Sequence, residues 1–262
     1  IISQYFDLQL RPSEKLYSTF GLRSDDHTTV GRKTSGRVTA AYLLDGNSKI
    51  RSSFGAGVRF PAMYDYSYAF SNIVSKGGSL DELQSERGLS FDLGYDTFID
   101  KLDLGLNLTY FKTEQKNSLL SNARTLWVIQ NADGRNTSEG IELGANWKPA
   151  ESKFAINLGY TFTDSYDANT CSETELAAWA DNECRLEGKL ADAKVRVPRH
   201  AIQTNVSYSI NQSLKSFLTG KYIGETRDFG NTNDSWTDQI LTDYFVFDLI
   251  NSYNLPNNYK LH

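Results

Sequence analysis

Residues able to do chemistry are few in this chain. There are three histidines, His27, His200 and His262, and no H-E-x-x-H, G-x-S-x-G or P-loop run. His27, beside Asp25 and Asp26 in a loop, is the one candidate general base. A loop histidine with no nucleophile next to it is expected to be merely solvated. The two cysteines, Cys171 and Cys184, lack the nearby histidines that a tetrahedral zinc site needs. The sequence therefore predicts no enzyme, no catalytic residue, no metal and no cofactor. What remains is aromatic. The stretch GAGVRFPAMYDYSYAF carries Tyr64, Tyr66, Tyr68 and Phe70 on alternate positions, and Trp127, Trp179, Asp228, Phe229 and Trp236 recur in later linkers. Rings that stack on a solute, with polar groups to orient it, are the means of binding rather than of catalysis. The same rings could instead pack loops on one another.

The elements that must hold these residues are read from composition and period. The chain has 262 residues, 19 Gly, 5 Pro and a formal net charge of -5. An acidic balance gives no footprint for nucleic acid, which needs a basic face. No run of about 18 apolar residues occurs, so no transmembrane helix is expected. The first residues, IISQYFDLQL, lack the charged start and apolar core of a signal peptide. A membrane is still open, because a β-barrel hides its apolar half in alternate positions.

Alternation is what the sequence shows. In KLDLGLNLTY, residues 101–110, Leu102, Leu104, Leu106, Leu108 and Tyr110 fall on one face and Lys101, Asp103, Gly105, Asn107 and Thr109 on the other. Phe154, Ile156, Leu158, Tyr160 and Phe162 alternate in the same way with Lys153, Ala155, Asn157, Gly159 and Thr161. A period of two is a strand. Eleven such segments, with the start of another at Tyr259, run through the chain.

Their linkers alternate between short and long. RPSE at 11–14, DGNS at 45–48, Ile99-Asp100, KPAES near 148–152, NQS at 211–213 and PNN at 256–258 are short and made of turn residues. Between them lie long linkers at 24–33, 61–84, about 113–136, 164–196 and 225–239. This pattern predicts an all-β, antiparallel, up-and-down meander with every long loop on one rim. Strands of about ten residues suit a transmembrane barrel, which needs ~9 to 11 residues per tilted strand. A soluble sandwich would show strands nearer ~5 to 6 residues and no such loop asymmetry. In the barrel, Tyr and Trp at strand ends also fit the membrane interface, so Tyr64 to Phe70 divide between ligand rim and interface belt. Inward-facing Arg51, Arg59, Glu86 and Glu142 are expected in lumenal salt bridges or plug contacts.

On these residues the sequence resembles the C-terminal half of TonB-dependent outer-membrane receptors. The matching positions are Gly57, Arg59, Pro61 and Asp65 before a large loop, then Glu86 and Gly88 opening the next strand. Asn136, Glu139, Gly140, Glu142 and Leu143 fit a recurring N-x-x-x-G-x-E strand, Pro198 and His200 fit a P-R-H run, and DYFVFDLINSYNLPNNYKLH fits a late strand and the start of the next. The resemblance implies a barrel of about 22 strands, of which twelve, about strands 10 to 21, are present. Residues 1–262 would then be a partial receptor barrel domain, lacking the plug and the last strand; a complete twelve-strand barrel is the alternative. It implies integral insertion in a bacterial outer membrane, contact with outer-membrane lipid, and coupling to the TonB complex through the plug. The function implied is capture and energy-coupled import of a ferric siderophore, haem, cobalamin or an oligosaccharide. A passive porin-like or structural barrel is the competing function. Within an envelope compartment Cys171 and Cys184, flanking SETELAAWADNE, are expected to form a disulfide, either stiffening a ligand-facing loop or stapling a loop that touches no ligand.

Overall fold

The computed structural model describes residues 1–28, 30–62, 65, 83–120, 130–131, 135–166, 196–232, 235–255 and 260–261. In chain order the strands are β1 (Ile2–Leu10), β2 (Leu16–His27), β3 (Gly31–Leu43), β4 (Ser48–Arg59), β5 (Glu86–Ile99), β6 (Leu104–Lys116), β7 (Leu119–Leu120), β8 (Gln130–Asn131), β9 (Arg135–Trp147), β10 (Phe154–Tyr166), β11 (His200–Ser209), β12 (Leu214–Ile223), β13 (Thr226–Thr232), β14 (Ser235–Leu241), β15 (Tyr244–Asn254) and β16 (Lys260–Leu261). Twelve of them form one sheet in the order β1-β2-β3-β4-β5-β6-β9-β10-β11-β12-β15-β16. All its pairings are antiparallel, so the meander is up-and-down as the linkers predict. β1 and β16 are the edges of this sheet and do not pair with each other. The other two sheets, β7-β8 and β13-β14, are hairpins within long linkers.

Burial reverses the logic of a soluble protein. Large apolar side chains are exposed, as Phe54 at 52%, Leu108 at 46% and Phe247 at 67% illustrate, whereas Thr109 and Ser165 on the opposite face are only 5% and 4% exposed. The one buried hydrophobic residue among the described residues is Leu83. A sheet that encloses its Thr, Ser, Asp and Glu side and presents Leu and Phe outward needs an apolar solvent on its outside. Register makes the outer face continuous. Leu93, Tyr110, Ile141, Phe162 and His200 are direct neighbours across five successive strands.

Aromatic pairs mark the two margins of this band. Near the short turns Phe154 stacks on Tyr208 with ring centroids 4.3 Å apart. At the opposite end Phe162 meets His200 at 5.4 Å and Tyr222 meets Phe245 at 4.7 Å. The eight residue steps from His200 to Tyr208 span about 26 Å of strand, or about 20 Å of height at a ~40° tilt, close to the height of a lipid-facing band. Rings with polar tips belong at such margins.

On the enclosed face, charged side chains lie flat along the wall. Arg51 reaches Asp96 at 3.1 Å and Asp92 at 3.7 Å, and donates to Thr109 Oγ1 at 2.7 Å. It can do so because Gly94 sits beneath it: a Cβ there would come within 2.7 Å of Arg51 Cζ. Gly94→Val is therefore expected to lift Arg51 off the wall, cutting these contacts and lowering stability by about 1–2 kcal/mol. Unfolding in urea with Arg51→Ala as reference checks this, since the two changes should not add.

The short turns are built by their own side chains. Between β3 and β4, Asp45 Oδ1 accepts the Asn47 amide at 2.8 Å, and the Leu44 amide donates to Ser48 O at 2.9 Å. The Asn47 amide holds the Asp45 carboxyl below its ordinary value. A depressed carboxyl contributes stability above its unfolded pKa and loses it as pH falls through the folded one. Exchange of the Asn47 amide should therefore quicken below about pH 4 relative to neighbouring turns, and Asp45→Ala should remove that dependence.

Four sequence expectations are corrected. The linker at 24–33 is not long: β2 and β3 pair out to His27 and Gly31, leaving only a tight turn, with Gly31 at φ +70°. Leu102 is not in a strand but in a 3-10 turn, Asp100–Leu102, closed by Asp103 in the left-handed region. The linker at 225–239 is largely ordered as the β13-β14 hairpin. Likewise β6 runs on to Lys116 and β9 begins at Arg135, which shortens the linker between them.

Candidate functional site

The strand ends that bound the long linkers lie on one rim, and those of the β4-β5 and β6-β9 linkers are tied together by residues of the sequence motifs. Arg59 ends β4 and Glu86 opens β5; they are direct register partners and pair at 2.6 Å. The second oxygen of Glu86 accepts the Leu119 amide at 2.8 Å, linking the root of the β4-β5 linker to that of the β6-β9 linker. Asn131 completes the link. It donates to Gln84 O at 2.9 Å and Asn117 O at 2.7 Å, and accepts the Gln84 amide at 2.7 Å. After Pro61, the Asp65 carboxylate accepts the Ala62 amide at 2.7 Å. Gly57 faces Gly88 one step below this clamp, so neither residue adds a side chain to the wall there.

The remaining motif residues serve the neighbouring strands. Asn136 donates to Ser118 Oγ at 2.9 Å. Gly140 is required by close packing: a Cβ would fall 1.9 Å from Phe162 O and 2.8 Å from Phe111 Cζ. Glu142 faces the lumen between Thr109 and Thr161, exposed and without an ion-pair partner among the described residues. In the P-R-H run Arg199 pairs with Asp164 at 2.9 Å, and His200 Nδ1 meets Tyr160 Oη at 2.9 Å. Of the four inward charges expected in lumenal contacts, Arg51, Arg59 and Glu86 are so engaged.

The sequence-predicted ligand residues divide sharply. Tyr64, Tyr66, Tyr68, Phe70, Trp127 and Trp179 lie outside the described residues, as do Cys171 and Cys184. Asp228, Phe229 and Trp236 belong to the β13-β14 hairpin, where Phe229 pairs with Asp238 and Trp236 with Asn231. The Asp228 carboxylate accepts Arg196 Nε at 2.8 Å, and the Arg196 amide donates to Arg227 O at 2.8 Å, so the hairpin is fastened to the end of the β10-β11 linker. His27 stacks on Phe60 at 4.9 Å and its Nδ1 accepts the Val30 amide at 3.4 Å, which gives it a place in the turn. Among the described residues no three His, Cys, Asp or Glu gather as a metal site. At the opposite end from this rim, beside the short β3-β4 turn, an open hollow of about 670 Å³ is lined by Asp45, Asn47, Lys49, Arg51, Asp96, Asn107 and Asn146.

The clamp could not be seen from spacing alone, because Gln84, Leu119 and Asn131 carry no motif of their own. Only register brings them to Glu86.

Comparison with known proteins follows the same lines. The sequence model of the family described as TonB dependent receptor-like, beta-barrel matches residues 2–262. A search of curated proteins found no match. Among solved structures, the siderophore receptor PirA from Acinetobacter baumannii superposes with a TM-score of 0.72 at 14% identity, over 97% of this chain and 39% of that one. The pyoverdine outer membrane receptor FpvA from Pseudomonas aeruginosa PAO1, bound to pyoverdine, gives 0.69 at 16% identity, over 97% and 36%. The FrpB iron transporter from Neisseria meningitidis gives 0.66 at 16% identity, over 96% and 38%. The chain thus spans less than two-fifths of the length of these structures. With eleven long antiparallel strands, an apolar outer face and a polar inner one, this chain belongs to the TonB-dependent receptor β-barrel family.

Proposed function

We propose that the chain is one part of the wall of an outer-membrane receptor that captures a scarce solute at its outer rim and imports it with energy delivered through TonB. The observation that carries this reading is the family match over residues 2–262, joined to a sheet whose apolar face is outside and whose charged face is enclosed. A ferric chelate is the favoured solute class, since the related structures are described as siderophore, pyoverdine and iron receptors. Tyr64, Tyr66, Tyr68, Phe70, Trp127, Trp179, Phe229 and Trp236 are its proposed stacking residues, with Asp228 fixing the hairpin that carries two of them. The Cys171–Cys184 pair is proposed as a disulfide of the longest linker. A plug domain and the remaining strands, supplied from outside residues 1–262, would complete the barrel, satisfy the backbone of β1 in lipid and contact TonB.

The test starts from the native polypeptide extracted in detergent. Its mass should be more than twice that of this chain, its migration on a gel should change on heating, and ferric chelate should bind while the iron-free chelator binds less tightly. A native mass equal to that of residues 1–262 would overturn the receptor reading in favour of a porin-like barrel.

A further inference from the structure

The short turns share a feature that their sequences do not. The chain passes from each hairpin to the next over the outer rim, so at the opposite end the seams between hairpins have no covalent link. One residue stands at each of these open ends, immediately before the strand that rises to the outer rim: Lys15 before β2, Asn47 before β4, Asp103 before β6, Lys153 before β10 and Ser213 before β12. In every case its carbonyl accepts an amide of the next hairpin, from Leu43 at 2.8 Å, Phe98 at 2.9 Å, Lys148 at 3.2 Å, Ser209 at 2.8 Å and Asn254 at 2.8 Å respectively. In the first four the side chain of the same residue reaches the same neighbour. Lys15 Nζ donates to Leu44 O at 3.4 Å, Asn47 Nδ2 to Asp100 Oδ2, and Lys153 Nζ to Ile210 O at 3.5 Å, while Asp103 Oδ2 accepts the Ala150 amide at 3.3 Å.

Lysine, asparagine and aspartate fill the same role, so position rather than residue type is the common element. The side-chain bonds are exposed, and each contributes little to equilibrium stability. What they govern is where the sheet begins to open. Strands open locally from their ends, and an end with no covalent link parts first. A carbonyl bond alone leaves the neighbouring hairpin free to swing about it; a second bond, beyond the strand end, removes that hinge. In an outer-membrane barrel the short turns face the periplasm, which is the side from which TonB would draw on the plug. We propose that Lys15, Asn47, Asp103 and Lys153 form a load-bearing collar that holds the hairpin seams of the periplasmic mouth shut while the plug is pulled. The load rests on the receptor reading above; the links rest on the geometry of the turns.

Hydrogen exchange of the intact receptor in detergent tests the collar first. Asp103 has φ 47°, so Asp103→Gly removes its side chain without backbone strain, and Asp103→Asn keeps an acceptor. If the links work as one unit, Asp103→Gly should quicken exchange not only at Lys148 and Ala150 but also at Leu43 and Ser209, which it does not touch, by roughly threefold to tenfold. Asp103→Asn should restore the wild-type rates. Quickening confined to Lys148 and Ala150 would overturn the collar, because the links would then be independent. The load is tested in cells with Lys15→Met, Asn47→Ala, Asp103→Gly and Lys153→Met combined. Affinity for ferric chelate should match wild type, whereas entry of an impermeant dye should rise several-fold, and only while the inner membrane is energised. Dye entry equal to wild type, or equally high without energy, would overturn the load-bearing role. A wild-type receptor that takes up no ferric chelate in an energy-dependent way would overturn the receptor reading and the load with it, and the exchange result would still decide whether the collar is one unit.

Discussion

Gly140→Ala is expected to destabilise the barrel by about 3 kcal/mol or more, the largest effect of any single change considered for this wall. The added Cβ would sit 1.9 Å from Phe162 O and 2.8 Å from Phe111 Cζ. A ring can turn aside, but Phe162 O belongs to the backbone of β10 in the middle of its ladder with β9. Relief requires the two strands to separate, and separated strands in lipid leave peptide groups with no water to satisfy them. Phe111 is the direct register partner of Gly140, so its ring also covers the peptide that the glycine leaves bare. Gly159 supplies the control. It lies on the same inner wall, and a Cβ there would meet nothing nearer than Gln203 O at 4.0 Å. Gly159→Ala should change stability by no more than about 0.5 kcal/mol. Urea unfolding in vesicles, followed by heat-modifiable migration, distinguishes the two; equal midpoints for both variants would show that the contact at Gly140 relaxes without cost.

How far the sequence discloses this molecule depends on whether the two faces of a strand meet different solvents. Leu102 aside, KLDLGLNLTY is legible because lipid on one side and a hydrated lumen on the other force an alternation. Once β2 and β3 rise above the lipid, both faces meet water and the alternation vanishes. SDDHTTVGRK then reads as a loop although Asp25 and Asp26 are paired with Lys33 and Arg32. The β13-β14 hairpin is hidden for the same reason, since RDFGNTNDSWTDQI has polar residues on both sides. Leu102 keeps the apolar period into a 3-10 turn because a turn at the membrane edge can expose a leucine to lipid as readily as a strand can. The site behaves likewise. Arg59, Glu86 and Gly140 stand out in the sequence, but what they do is set by register and contact. Gln84, Leu119 and Asn131 are ordinary residues until the fold brings them to the clamp.

That clamp gives the second large effect, and it is local. Glu86 is 5% exposed at its side chain, holds Arg59 through one oxygen and the Leu119 amide through the other. Glu86→Gln keeps an acceptor for the amide and loses the ion pair. Because Arg59 is 62% exposed, water already screens that pair, and the loss should be about 1 kcal/mol. Glu86→Ala loses both contacts and leaves a half-buried amide unpaired, at about 2 kcal/mol. Arg59→Ala should resemble the glutamine variant, since the link between the two linkers survives in each. The clamp closes the roots of the β4-β5 and β6-β9 linkers while the wall below is held by its own ladder, so these costs should appear as local opening before global unfolding. Limited proteolysis of the intact receptor reads this directly: nicking within residues 60–85 and 117–134 should be fastest for Glu86→Ala and intermediate for Glu86→Gln and Arg59→Ala. If the linkers are also the capture surface, solute affinity should fall in the same order, because a rim whose roots open must be ordered again before it can bind. Unchanged nicking in Glu86→Ala would mean that Asn131 alone holds the roots together, and the triple contact of Asn131 with Gln84 and Asn117 would then be the place to cut.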